Sequence, residues 1–187
     1  MVSSPFLFMK LKAVLCDGAT LRRTMKRIAH EIIEHNSDLS KVCLIGIKTR
    51  GIPFAKSLSD LIEEIEGVKI EVGTIDITSF RDDLDKVPEE ETLEALPFDV
   101  TGKTVVLVDD VIYTGRTVRA AMEAIIRFGR PARIELAALV DRGHRELPIR
   151  ADFIGKNVPT ARSERVVVSL FEVDGKDSIE LYEEDGR

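Results

Sequence analysis

Two adjacent carboxylates, Asp109 and Asp110, end an apolar run and are followed four residues later by Thr114-Gly115-Arg116-Thr117. The residue types divide the chemistry. Backbone N–H groups at the start of a helix, with the helix dipole behind them, form an anion site. Gly115 lets the chain approach a phosphate closely, and the hydroxyls of Thr114 and Thr117 add donors. The carboxylates repel a phosphate but accept hydrogen bonds from hydroxyls, so the cis-diol of a ribose is their natural partner. The segment Val111-Ile112-Tyr113 joins the two halves. A single Asp here would read as an ordinary helix cap; two, placed after a buried strand, point to a phosphorylated sugar. No Gly-Lys-Ser/Thr follows a Gly-rich turn, as a nucleoside triphosphate P-loop requires, and the G-x-G-x-x-G of a dinucleotide site does not appear.

A second turn, Lys48-Thr49-Arg50-Gly51, follows another apolar run. Its two cations and its N–H groups suit a pyrophosphate, although a charged surface turn has the same composition.

These turns need a scaffold. The spacing predicts a helix over residues 18–35, with Leu21, Met25, Ile28 and Ile32 on one face, and a second over 51–66 with Pro53 in its first turn. A third helix is expected over 115–128, stopped by Gly129-Arg130-Pro131. Val42–Ile47, Thr104–Val108 and Ile134–Val140 read as strands buried on both faces. Val68, Ile70 and Val72 alternate like a further strand, and two β-rich runs, 166–173 and 179–182, meet near Asp174-Gly175. Buried strands alternating with helices imply an α/β fold with a mainly parallel sheet, whose ligands sit beyond the carboxyl ends of the strands. Both turns fall there.

The chain has 187 residues and a net charge of −6, from 27 Lys plus Arg against 33 Asp plus Glu. That suits one domain and excludes a globally basic nucleic-acid binder, though not a local basic face. Two cysteines, Cys16 and Cys43, sit in or beside apolar runs and read as buried reduced thiols of a cytoplasmic protein. His30 and His35 are five apart, so they diverge around a helix and make no metalloprotease pair. No apolar stretch is long enough for a membrane span, and no partner membrane is expected.

The Asp109–Thr117 segment resembles the phosphoribosyl pyrophosphate (PRPP) loop of type I phosphoribosyltransferases. The likeness extends through Lys48–Gly51, Asp76–Leu84 and the long string from Val140 to Thr160, and covers about residues 12–183. The last string resembles, within that family, the pyrimidine operon regulators that are also uracil phosphoribosyltransferases. The resemblance implies a type I phosphoribosyltransferase fold in one domain, residues 1–187, with a flexible extension at 1–11, a lid loop at 78–100 and a small hood at 141–165. It implies uracil plus PRPP giving UMP plus pyrophosphate, a pentosyl transfer. Mg2+ would be bound through PRPP, with Asp109 and Asp110 as its candidate ligands on the protein side. Arg81 would lie on the lid, Lys48 to Gly51 would hold the pyrophosphate, and Thr114 to Thr117 the 5′-phosphate. Arg142, Lys156 and Val166 would belong to the region that reads the uracil ring. Further implied are sensing of UMP or UTP, binding of a pyrimidine operon leader RNA with transcription attenuation, and a homodimer or higher homo-oligomer. The other reading is a salvage phosphoribosyltransferase without RNA regulation.

For the RNA, Arg22, Arg23, Lys26, Arg27 and His30 lie opposite the apolar face of the first helix. Phosphate contacts supply most of the affinity for RNA, so such a stripe could carry it; a solvated outer face is the plainer alternative.

Overall fold

The computed structural model describes residues 9–80 and 95–184. The chain runs β1 (Met9–Asp17), α1 (Gly18–His35), β2 (Val42–Ile47), α2 (Gly51–Glu66), β3 (Glu71–Ile75), β4 (Thr104–Ile112), α3 (Arg116–Phe128), β5 (Arg133–Asp141), β6 (Phe153–Asn157), β7 (Glu164–Ser169), the single turn α4 (Phe171–Asp174) and β8 (Ser178–Glu184). Five strands pair in parallel in the order β3-β2-β4-β5-β6. The central strands are continuous apolar runs because both faces are covered: all six residues of β2 are buried. One apolar cluster packs α1 and α2 on one face, and a second packs α3 on the other.

The helices form where the spacing puts them. Asp17 caps α1 by accepting the N–H of Thr20 at 2.7 Å, and Leu21, Met25, Ile28 and Ile32 are buried beneath it. Gly67, left-handed at φ 69°, closes α2.

Three local expectations change, and one strand is added. β3 begins at Glu71, opposite Cys43, so Val68 and Ile70 precede the strand; Ile70 is nonetheless buried, which is why the alternation resembles that of a strand. β4 continues to Ile112, which places Asp109 and Asp110 within its pairing with β5 rather than after it. Val173 belongs to α4, not to a strand, because the chain must reverse between β7 and β8. β1 has no clear signal: it pairs antiparallel with β8 through two register shifts, and such bulges break the period-two pattern.

β1, β8 and β7 make a separate antiparallel sheet. Both ends of the described chain therefore meet in one small sheet. Ile179, Leu181, Val166 and Val168 on its inner side join the α1–α2 cluster. Met9–Leu11 lie in β1.

Candidate functional site

The end of β4 runs directly into the turn that opens α3. Gly115 caps that helix at φ 94°, a conformation that disfavours any side chain. Arg116 N–H turns to Thr114 Oγ1 at 3.3 Å. Asp109, Val111, Ile112, Tyr113, Thr114 and Gly115 line a cavity of about 340 Å³, together with Arg116, Thr117, Val118 and Glu146. That volume lies at the small end of ligand pockets and admits a phosphorylated sugar fragment.

The acids are held by their own backbone. Asp109 Oδ1 accepts the N–H of Asp110 at 2.9 Å, and Asp110 Oδ1 accepts that of Val111 at 2.9 Å. Asp109 is only 7% exposed. Burial, and then the neighbouring Asp110 charge, push the Asp109 carboxyl well above the ordinary carboxylate range. Burial also raises Asp110, opposed by the Val111 N–H and by the field of Arg50. Among the described residues no Lys, Arg or His is hydrogen-bonded to either carboxylate. Asp109 is thus a buried acceptor and Asp110 a half-buried one, and neither has a hydrogen-bonded cation among the described residues, a costly arrangement without a ligand.

A strap from β5 toward β6 closes the far side of the turn. The N–H groups of Glu146 and Leu147 both donate to Thr114 O, at 3.0 and 3.2 Å. Arg145 bonds to Asp141 and to the carbonyls of Tyr113 and Ile149. Glu146 Oε2 meets Arg116 Nε at 2.8 Å. Arg142 is buried, with its guanidinium 4.1 Å above the Tyr113 ring and its Nη2 donating to Glu164 O at 2.6 Å. This residue therefore ties the strap to β7 and covers the tyrosine that leads into the phosphate turn.

The second turn is packed onto the first. A Cβ on Gly51 would run into the carbonyl of Val108, the residue before Asp109; only glycine permits that approach. The Lys48–Thr49 peptide bond is cis. Lys48 Nζ lies 3.3 Å from Asp76 Oδ2 at the end of β3. Asp76 is held below the usual carboxylate range first by hydrogen bonds from the Thr78 hydroxyl and N–H, with Lys48 adding to them. Arg50 forks onto Asp174 of α4, with Nε–Oδ2 at 3.1 Å and Nη2–Oδ1 at 2.8 Å.

Of the residues singled out from sequence, the structure gathers Asp109 and Val111–Thr117 around one cavity, with Asp110 beside it and Lys48–Gly51 packed against the same strand end. Arg142 lies behind Tyr113. Lys156 donates to Leu15 O at 2.9 Å and does not line the cavity, and Val166 is in the core, paired with Leu181. Arg81 falls outside the described residues, as does most of the expected lid. Sequence reasoning misses Glu146 and Asp174. Neither stands in a local motif; each reaches the site through tertiary contact alone.

On α1, Arg22, Arg23, Lys26, Arg27 and His30 are all exposed on the face away from the core. They are not equivalent. Arg27 Nη2 donates to the carbonyls of Ile154 and Gly155 at 2.9 and 2.7 Å, so it clamps α1 to β6. Arg22 lies 3.6 Å from Asp177 and Lys26 3.2 Å from Glu64, while Arg23 Nη2 donates to Thr20 Oγ1 at 3.1 Å.

Comparison with known proteins places the architecture. A phosphoribosyl transferase domain model matches residues 17–170. The bifunctional protein PyrR of Clostridioides difficile (strain 630) is 58% identical over 174 residues, 92% of this chain and 98% of that protein. That of Bacillus subtilis (strain 168) is 56% identical over 179 residues, 94% and 99% of the two chains. Among solved structures, a Trypanosoma cruzi hypoxanthine phosphoribosyltransferase superposes with a TM-score of 0.71 at 17% identity, covering 93% of this chain and 98% of that one. A Bacillus anthracis hypoxanthine-guanine phosphoribosyltransferase gives 0.70 at 18% identity, with 93% and 98% covered. The parallel sheet with its flanking helices is a type I phosphoribosyltransferase fold.

Proposed function

We infer the function from one premise: this chain belongs to the phosphoribosyl transferase family and, within it, to the bifunctional PyrR proteins. It is a regulator of pyrimidine operon expression and a uracil phosphoribosyltransferase, converting uracil and PRPP to UMP and pyrophosphate. The observation that carries the chemical half is the Asp109–Asp110 pair, the first buried and the second half-buried, running straight into the phosphate turn Thr114–Thr117.

In the transfer, uracil N1 forms a bond to C1′ as the C1′–oxygen bond to pyrophosphate breaks, and the N1 proton of uracil ends on the released pyrophosphate or in solvent. Positive charge grows on the sugar and negative charge on the leaving group. No protein nucleophile is required; oriented charges and donors in a dry site are. The turn at Thr114–Thr117 takes the 5′-phosphate through its N–H groups and hydroxyls. Asp109 and Asp110 accept from the ribose hydroxyls and stabilise the positive charge growing on the ring. Lys48 and Arg50, with the amides of the Lys48–Gly51 turn, receive the pyrophosphate. Arg142, stacked on Tyr113, fixes the wall on the base side.

Magnesium carried with PRPP fits this donor set. The two carboxylates, one buried and one half-buried, have no hydrogen-bonded cation among the described residues, and no group of three metal-ligating side chains occurs among those residues. Asp109 and Asp110 are the residues that would hold the ion on the protein side. When bound, the ion offsets charge on the leaving pyrophosphate.

The regulatory half uses the exposed face of α1. Arg22, Arg23, Lys26 and His30 present charge for a leader RNA, with UMP or UTP in the transferase site as the sensed signal. Arg27 contributes mainly by holding α1 against β6. No helix among the described residues is long and apolar enough to cross a membrane. The setting that suits these substrates and the unpaired, buried Cys16 and Cys43 is the cytoplasm, with assembly as a homo-oligomer.

The test is a titration of pyrimidine operon leader RNA, with and without UMP, alongside pyrophosphate release from PRPP with uracil. Replacing Arg23 and Lys26 by Glu should weaken RNA binding and reduce the log–log salt slope by about 0.7–0.9 for each phosphate no longer neutralised, while uracil transfer persists. An unchanged RNA titration removes α1 from the interface. Transfer without any UMP-dependent RNA binding favours the salvage enzyme.

A further inference from the structure

We propose that Asp174, on the one-turn helix near the C-terminus, is a positioning residue for PRPP: it sets the plane of the Arg50 guanidinium in the pyrophosphate turn. The inference rests on the assignment of Lys48–Gly51 to pyrophosphate.

The contact is built, not incidental. Both carboxylate oxygens are used, Oδ2 to Arg50 Nε at 3.1 Å and Oδ1 to Nη2 at 2.8 Å. A two-point fork fixes an arginine's orientation as well as its distance. The carboxylate is itself held, because Leu170 N–H donates to Oδ2 at 3.0 Å and Leu170 is buried in the core. Behind it the chain turns sharply through Gly175 at φ 69°, with Gly175 N–H on Phe171 O.

A structural reason for the pair is weak. α4 buries none of its four residues, and Phe171 and Val173 are exposed. The element adds little to the core, yet it delivers an acid across 124 positions of sequence to a cation at the mouth of the site. Surface ion pairs contribute little to folding unless forked as this one is, and with side chains 33% and 20% exposed its share is modest. What the pair does provide is order. Arg50 stands at the start of α2, where its carbonyl accepts Phe54 N–H at 3.3 Å, so its backbone is fixed while its long side chain would otherwise sample many rotamers. Asp174 removes that freedom before PRPP arrives, leaving the outer guanidinium face for the pyrophosphate. Lys48 makes a single, longer contact of 3.3 Å with Asp76, just after β3. The loop's two cations are thus each paired with an acid from elsewhere in the chain.

The experiment measures pyrophosphate release with PRPP and uracil varied separately, with thermal melts of every variant. Asp174→Asn should raise the KM for PRPP about tenfold and leave the KM for uracil within about twofold, with little change in melting temperature. Asp174→Glu keeps the charge on a longer arm and should recover most of the loss, leaving a rise of about threefold. In an Arg50→Lys background, which has no fork to orient, Asp174→Asn should add nothing further. An unchanged or lowered KM for PRPP in Asp174→Asn overturns the proposal, as does an equal rise in both KM values. Should Asp174→Asn fail to fold, the Asp174→Glu value decides: a rise confined to PRPP supports the role, and a wild-type value overturns it. Absence of PRPP-dependent release in the wild-type protein would instead refute the transferase reading itself.

Discussion

Buried acids stand at both ends of the parallel sheet, and they are treated oppositely. At the amino end of β5, Glu135 is 3% exposed. Arg133 Nε lies 2.8 Å and His35 Nε2 3.3 Å from its Oε1, ion-pair contacts rather than aligned hydrogen bonds. Asn36 Nδ2 donates to its Oε2 at 3.1 Å. Asn36 also bonds to Ile32 O and receives Arg133 Nη2, so α1, β5 and the acid form one closed network. At the carboxyl end, buried Asp109 and half-buried Asp110 stand side by side with a backbone N–H each and no hydrogen-bonded cation among the described residues. A buried acid surrounded by its partners holds the fold together. A pair of acids without them stores a cost that a ligand's hydroxyls and cation relieve. The contrast separates a structural carboxylate from a functional one without reference to any relative.

The largest effect that tests this contrast is at the site. Asp110→Asn should lower uracil transfer by about 10²–10³ in steady-state pyrophosphate release, the scale of losing a charge-stabilising group. Retained turnover would remove the sugar-hydroxyl role from the pair. Next comes the opposite end. Glu135→Ala should cost about 1–3 kcal/mol in urea unfolding, because Asn36 loses a buried acceptor and Arg133 its counter-charge. The kcat should stay near wild type, and a parallel fall in kcat would show that the two ends are coupled.

The smallest effect is the most diagnostic. Asp109→Asn should stabilise the ligand-free protein by about 1 kcal/mol at neutral pH, because an amide avoids the charge that burial penalises. The pH dependence follows from the raised carboxyls. A folded-state pKa above the unfolded one means that the native state binds protons more tightly. Wild-type stability is therefore highest, as far as this pair is concerned, below about pH 4, and is lost as pH rises through the raised values. Asp109→Asn should flatten that decline in a pH series of denaturant melts. Equal slopes in both proteins would mean that the pair is not strained.

Much of this was legible in the chain. The phosphate turn spans nine residues, Asp109 to Thr117, and its parts act on each other locally: a buried strand fixes the acids, a positive-φ glycine opens the helix, and the helix start supplies donors. The apolar face of α1 and the all-buried β2 announce themselves by periodicity and by run length. Burial, however, is not pairing. Ile70 is buried next to β3 without belonging to it, and Val173 has a strand-forming side chain in a helical turn. The division of the α1 cations was also hidden, since Arg27 becomes a clamp only when β6 arrives beside it.

The sequence by itself determined the chemistry on offer: acids, then a glycine turn, then a helix start, at the end of a strand buried on both faces. Interactions between near neighbours in the chain decide those features, so they survive being read in one dimension. The tertiary structure alone decided who holds the charges. Asp174 meets Arg50, Asp76 meets Lys48 and Glu146 meets Arg116 across gaps of 124, 28 and 30 positions. An ion pair depends on a few ångströms in space, and only the packed sheet, with both ends of the described chain drawn into one small β-layer, brings those ångströms about.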